Sequence, residues 1–156
     1  TLYNAREAGR SVKFPRVSPD GKRLLYTVSD YGNFSIWHKD ADLYMIDLST
    51  LRSYPLEAAN SDDVESYHSW SSNSRWFVFS SRRIDGLYTR PYIAYVGEDG
   101  KVGKPFLLPQ KDVGFYPSFM KSFNIPEFIT GKVKVQGRAL AIKAKEDKGT
   151  DVRFAK

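Results

Sequence analysis

The sequence predicts an all-β fold made by repeating a four-stranded antiparallel unit, and three observations carry that prediction. First, Val17–Ser29 (VSPDGKRLLYTVS) superposes on Trp70–Arg82 (WSSNSRWFVFSSR) at an offset of 53 residues. Phe14 falls on Tyr67, Val17 on Trp70, Asp20 on Asn73, Gly21 on Ser74, Lys22 on Arg75, Leu24 on Phe77 and Tyr26 on Phe79. Second, each copy carries a turn of Pro-Asp-Gly type or its polar equivalent, at Pro19, Asp20 and Gly21 and at Asn73, between apolar positions. Third, the apolar runs are short and rich in aromatic and β-branched residues, as strands are and helices are not.

The elements follow in chain order. Val17 and the run Leu24, Leu25, Tyr26, Val28 read as two strands joined by a tight hairpin, with Asp20 placed to accept backbone hydrogen bonds and lock it. Leu43-Tyr44-Met45-Ile46 is a third strand and Ser53 to Leu56 a short fourth. In the second copy Trp76-Phe77-Val78-Phe79 reads as a strand packed on both faces, Tyr92 to Val96 as the third strand and Pro105 to Leu108 as the fourth. Tyr116-Pro117-Ser118-Phe119 matches the opening of a third copy, without its turn. Carried backwards, the offset puts Leu2-Tyr3-Asn4 in the place of a fourth strand. The expected division is 1–12, an outer strand and linker; 13–60 and 61–112, two units; 113–128, the start of a further unit; and 129–156, a basic tail. In that tail Lys132 to Val135 reads as an edge strand and Arg138 to Lys145 as a short helical stretch in a loosely docked terminus.

Four antiparallel strands in a repeat of about 50 residues describe a β-propeller blade. The chain is therefore expected to be a fragment of a β-propeller, the C-terminal portion of a longer one, with two complete blades and partial blades at each end. A complete small sandwich is the alternative. SPDGKRLLY followed by ADLYMIDLS resembles the repeat of TolB-type β-propellers, a WD-repeat-like family of the bacterial periplasm with relatives among peptidase propellers. The resemblance covers residues 1–120, and in the second copy Ser72, Asn73 and Ser74 replace Pro, Asp and Gly. It implies a periplasmic or cell-envelope location and a role docking proteins or peptides on one face of the disc.

Composition narrows the function classes. The 156 residues are 41% hydrophobic and 15% aromatic, enough for a buried core, and no run reaches the roughly 18 apolar residues of a membrane helix. No cysteine is present. The net charge of +6 sits largely after Thr130, away from the aromatics, whereas a nucleic-acid groove interleaves the two. No nucleic-acid partner and no cofactor are expected.

No catalytic pattern stands out. His38 and His68 are the two histidines, without metal-ligand spacing. His68 holds the repeat column of Pro15 and Pro117, and a structural role is expected of it. Ser71 and Ser72 lie in a turn, no G-x-S-x-G elbow occurs, and Asp40-Ala41-Asp42 opens like a calcium loop but lacks its glycine and distal glutamate. The non-repeating connections carry the binding expectation. Asp30–Asp40 holds Tyr31, Phe34, Trp37 and His38, and Arg82–Arg90 holds Arg82, Arg83, Asp85, Tyr88 and Arg90. Arg, Tyr and Trp dominate binding hot spots because each joins large area to directed polar groups. Both loops should emerge on one face; Phe34, Ile36 and Trp37 either join that surface or tuck beneath it.

The sequence thus points to a non-catalytic propeller module that docks a protein, peptide or glycan. The alternative is the gating propeller of a larger hydrolase of prolyl-oligopeptidase type. Open blade faces further suggest self-association.

Overall fold

The computed structural model describes residues 1–146, and residues 147–156 of the expected basic tail lie outside the described residues. Among the described residues two four-stranded antiparallel sheets form, each a meander in which successive strands pair. The first contains β1 (Ser11–Val17), β2 (Arg23–Ser29), β3 (Asp42–Asp47) and β4 (Ser53–Pro55). The second contains β5 (Glu65–Trp70), β6 (Trp76–Ser81), β7 (Arg90–Tyr95) and β8 (Phe106–Leu107). This is the architecture of two adjacent β-propeller blades.

The repeat holds down to single hydrogen bonds. In the first hairpin the Ser18 N–H donates to Arg23 O at 2.8 Å, while Asp20 Oδ1 accepts from the Ser18 hydroxyl at 2.6 Å and the Lys22 N–H at 3.1 Å. In the second the Ser71 N–H donates to Trp76 O at 2.8 Å, and Asn73 Oδ1 accepts from the Ser71 hydroxyl and the Arg75 N–H. Gly21 sits at φ +70° and its counterpart Ser74 at φ +59°, so the second turn places a residue with a Cβ where the first uses glycine. Both units also carry a bulge in their first strand, at Phe14 (φ +53°) and Tyr67 (φ +52°), where the ladder register shifts. Pro15 is tolerated there because the bulge interrupts the ladder that its missing N–H would otherwise break.

Alternation along the strands fixes how the sheets stack. Leu25, Leu43 and Met45 face the second sheet and meet Phe77, Phe79, Tyr92, Ala94 and Val96 in one buried cluster closed by Leu56 and Ala59. Burying each large side chain contributes about 1.5–3 kcal/mol. Polar latches cross the same interface. The Trp70 Nε1–H donates to Arg16 O at 3.0 Å, the Asp20 N–H to Ser74 Oγ at 2.9 Å, and the Arg23 guanidinium to Glu98 O at 2.9 Å.

Several sequence expectations need correction. Leu2-Tyr3-Asn4 is not a strand, since no described strand lies beside it to complete a ladder. Residues 5–9 form turns instead, with the Ala8 N–H donating to Asn4 O and the Arg10 N–H to Ala5 O. Tyr3 nonetheless packs on Tyr26, with ring centroids 5.6 Å apart, on the outer face of the first sheet, as its counterpart Leu56 packs into the inter-sheet cluster. The segment matched to a third copy is a helical turn, α1 (Phe115–Ser118). Pro117 fits a first helical turn, where its absent donor costs nothing. Lys132 to Val135 forms no strand, whereas α2 (Gly137–Glu146) covers the expected helical stretch and buries no residue.

Candidate functional site

Two connections, residues 30–41 between β2 and β3 and residues 82–89 between β6 and β7, meet at one end of the stacked sheets. The first is anchored by its middle. A 3-10 turn over Ser35–Trp37 buries Ile36 with Ala41, Val64 and Tyr67, and the Ser35 hydroxyl lies 2.8 Å from Ser66 Oγ. Anchoring Ser35 and Ile36 turns the flanking side chains outward. Phe34, held in the left-handed region at φ +56°, is 71% exposed and Trp37 is 68% exposed. Of the three residues that could have tucked beneath the loop, only Ile36 does so. Tyr31, also 68% exposed, packs against the edge of the His38 ring at 4.6 Å, and His38 Nε2 lies 2.9 Å from Asn33 O.

The second connection is shaped by Asp85. Its Oδ1 accepts the N–H groups of Leu87 and Tyr88, both at 2.8 Å, and Gly86 (φ +67°) donates its N–H to Arg82 O. Ile84 and Leu87 stand exposed as a result. The loops join where the Arg82 guanidinium lies 5.4 Å from the centre of the exposed Trp37 ring and its Nε 3.5 Å from Asp63 Oδ1. Asp63 belongs to the segment linking the sheets, so three separate stretches of chain converge on one point.

The arginines expected at the surface divide differently. Arg82 is only 8% exposed, tucked under Trp37. Arg83 turns inward: it donates to Glu65 Oε1 at 2.8 Å and to Ala59 O, and its guanidinium lies 4.6 Å from the centre of the Tyr92 ring. Arg90, 2% exposed, donates to Lys121 O at 2.6 Å, Phe119 O at 3.0 Å and Tyr116 O at 3.1 Å, and so clamps the segment around α1 onto the second sheet. Tyr88 stacks on Arg90 from the loop side, at 5.2 Å. Guanidinium groups satisfy several backbone acceptors at once, and chain segments without ladder partners supply those acceptors. Arg83, Arg90 and Tyr88 therefore hold the fold, while Tyr31, Phe34, Trp37, Ile84 and Leu87 form the exposed surface.

Sequence reasoning did not foresee the environment of two acids behind this face, the buried Glu65 and the half-buried Asp42. Glu65 is fully buried and accepts hydrogen bonds from Ser61, Ser81 and Arg83; burial pushes its carboxyl up, partly offset by the Arg83 charge. Asp42 is pushed up to about 6 by burial and then by the Glu65 charge. Asp42 drew attention only as part of the calcium-loop-like Asp40-Ala41-Asp42, and no motif marks Glu65, whose partners come from separate stretches of chain. Among the described residues no group of three or more histidine or acidic side chains is placed to hold a metal, and no helix is long and apolar enough to cross a membrane. A cavity of about 670 Å³ lies elsewhere, between β4 and the β7–β8 hairpin, walled by Tyr54, Leu56 and Val102 with Arg52, Asp99 and Lys101 around it.

No family model and no curated protein matches the chain. Among solved structures, a chain from a structural and mechanistic study of two prolyl endopeptidases is similar at 14% identity and a TM-score of 0.32, over 69% of this chain and 22% of that one. The present chain thus spans about a fifth of the length of that protein.

Proposed function

We propose that this chain is a non-catalytic binding module that docks a protein or peptide segment on the surface formed by the two connections. The observation that carries the reading is the junction of Trp37, Arg82 and Asp63. It fixes two loops from different sheets to each other and leaves Tyr31, Phe34, Trp37, Ile84 and Leu87 exposed on a prepared base. An exposed aromatic held from below loses little conformational freedom on binding, which is what makes Trp and Tyr effective anchors. Rigid β strands behind the loops keep the anchors at fixed spacing.

The test is capture of a partner by the full chain, followed by titration with two variants. Trp37→Ala combined with Leu87→Ser should weaken the complex by more than 1 kcal/mol while the melting temperature changes little, since both side chains are exposed. Lys101→Ala, in the cavity at the other site, should leave affinity unchanged. Equal affinity for the loop variant and the wild type would remove the assignment.

A further inference from the structure

Arg82 differs from Arg83 and Arg90 in that its terminal nitrogens donate to no described residue. Its side chain is nine-tenths buried, yet Nε donates no hydrogen bond, since Asp63 Oδ1 at 3.5 Å serves as an ion-pair partner without hydrogen-bond geometry. That oxygen is already engaged by the Val64 N–H at 2.8 Å. Neither terminal nitrogen of Arg82 donates to a described residue, in contrast to Arg83 and Arg90, whose terminal nitrogens reach two and three oxygens. A guanidinium carries five N–H donors in a planar fork that matches a carboxylate, and a buried donor without an acceptor is costly.

The surroundings describe that acceptor. Trp37 lies over the guanidinium, and Phe34, Ile84 and Leu87 stand exposed on the two connections that meet there. With Phe34, Trp37, Ile84 and Leu87 all exposed, the surface suits a chain that runs across it. We propose that Arg82 is a receptor for an acidic side chain, and that the partner presents a Glu or Asp flanked by apolar residues in an extended segment. The carboxylate pairs with the free terminal nitrogens of Arg82 while Trp37, held over the guanidinium, packs against the neighbouring apolar side chain. This rests on the binding-module reading above and names the chemistry its partner must carry.

The test uses the full chain, labelled with nitrogen-15, titrated with two blocked peptides, Ac-Gly-Ser-Leu-Glu-Phe-Ser-Gly-NH2 and the same sequence with Gln for Glu. The glutamate peptide should shift the Trp37 indole and Arg82 Nε–H resonances and bind at least tenfold more tightly than the glutamine peptide. Raising salt should narrow that ratio. Arg82→Lys, checked for folding by its melting curve, should reduce the ratio to twofold or less, because an ammonium cannot present the fork. Equal binding of both peptides at the loop resonances overturns the carboxylate receptor but leaves the docking surface standing. Shifts confined to residues away from the loops, or no binding of either peptide, overturn the inference; the loop-variant titration described above then decides the docking surface separately. The Glu-to-Gln ratio in the wild-type chain needs no variant, so misfolding of Arg82→Lys cannot obscure the result.

Discussion

His68 of the second sheet donates its Nε2–H to the Phe14 carbonyl oxygen of the first at 2.7 Å, and the same nitrogen lies 3.1 Å from Leu25 O. Both acceptors belong to the facing sheet, so one side chain ties the blades together at the bulge. The ring is fully enclosed, and burial drives its pKa down to about 4. The imidazole is therefore neutral in the fold and protonates more readily once the chain unfolds.

That difference fixes an acid response. Because the folded pKa lies below the unfolded value near 6.5, the unfolded state binds more protons between pH 6.5 and 4, and stability falls as the pH drops through that window. A displacement of this size corresponds to about 3 kcal/mol at full expression. Denaturant midpoints measured from pH 7 to 4 should fall, with the steepest loss from this group below pH 6. His68→Gln should flatten the dependence while lowering stability at pH 7.

Asp42 acts in the opposite sense. Its folded pKa of about 6 lies above the ordinary value of 3.8, so its charge costs stability above pH 6 and that cost disappears as the pH falls toward 4. Asp42→Asn should therefore raise the unfolding free energy at pH 7.5 by about 1 kcal/mol after allowance for the partial exposure of the group. It should give no gain at pH 4, and it should steepen the acid loss caused by His68. A variant equally stabilised at both pH values would show that packing, not charge, is responsible.

Arg83→Ala strands the buried Glu65 carboxylate, whose loss of its cation should cost about 3–5 kcal/mol. Adding Glu65→Gln should recover part of that loss, because the uncompensated charge is removed with its partner. Additive costs in the double variant would mean that the two side chains stabilise the fold independently.

Asp20→Ala removes the acceptor for the Ser18 hydroxyl and the Lys22 N–H and should lower stability by about 0.5–2 kcal/mol. Its turn lies away from the two connections, so peptide binding should not change. Lost binding at an unchanged melting temperature would place Asp20 in the site.

Arg90→Ala should release the segment around α1, which Arg90 holds through the carbonyl oxygens of Tyr116, Phe119 and Lys121. Hydrogen exchange of residues 115–123 should quicken at least tenfold while β5 and β6 keep their protection.

Much of the fold was legible because the repeat writes the same chemistry twice. Asp20 and Asn73 occupy one column and make the same turn bonds, and the alternation of Leu24, Leu25 and Tyr26 assigns each to its face. The terminal segments were misread because a strand exists only beside another strand, and an offset cannot say whether that neighbour is present. At the candidate site, composition singled out two connections that the structure brings to one end of the stacked sheets, but not the roles of the residues within them. Arg82, Arg83 and Arg90 look alike in sequence; what separates them is which carbonyl and carboxylate oxygens the stacked sheets bring within reach. Phe34 and Ile36 are similarly apolar, and the 3-10 turn alone decides that one faces out and the other in.

Hydrogen exchange of the full chain with and without its captured partner tests the docking surface most directly. Protection confined to residues 31–38 and 82–89, with the strands behind them unchanged, is the result this account predicts. Protection centred instead on residues 47–58 and 97–102, around the cavity between β4 and the β7–β8 hairpin, would contradict it.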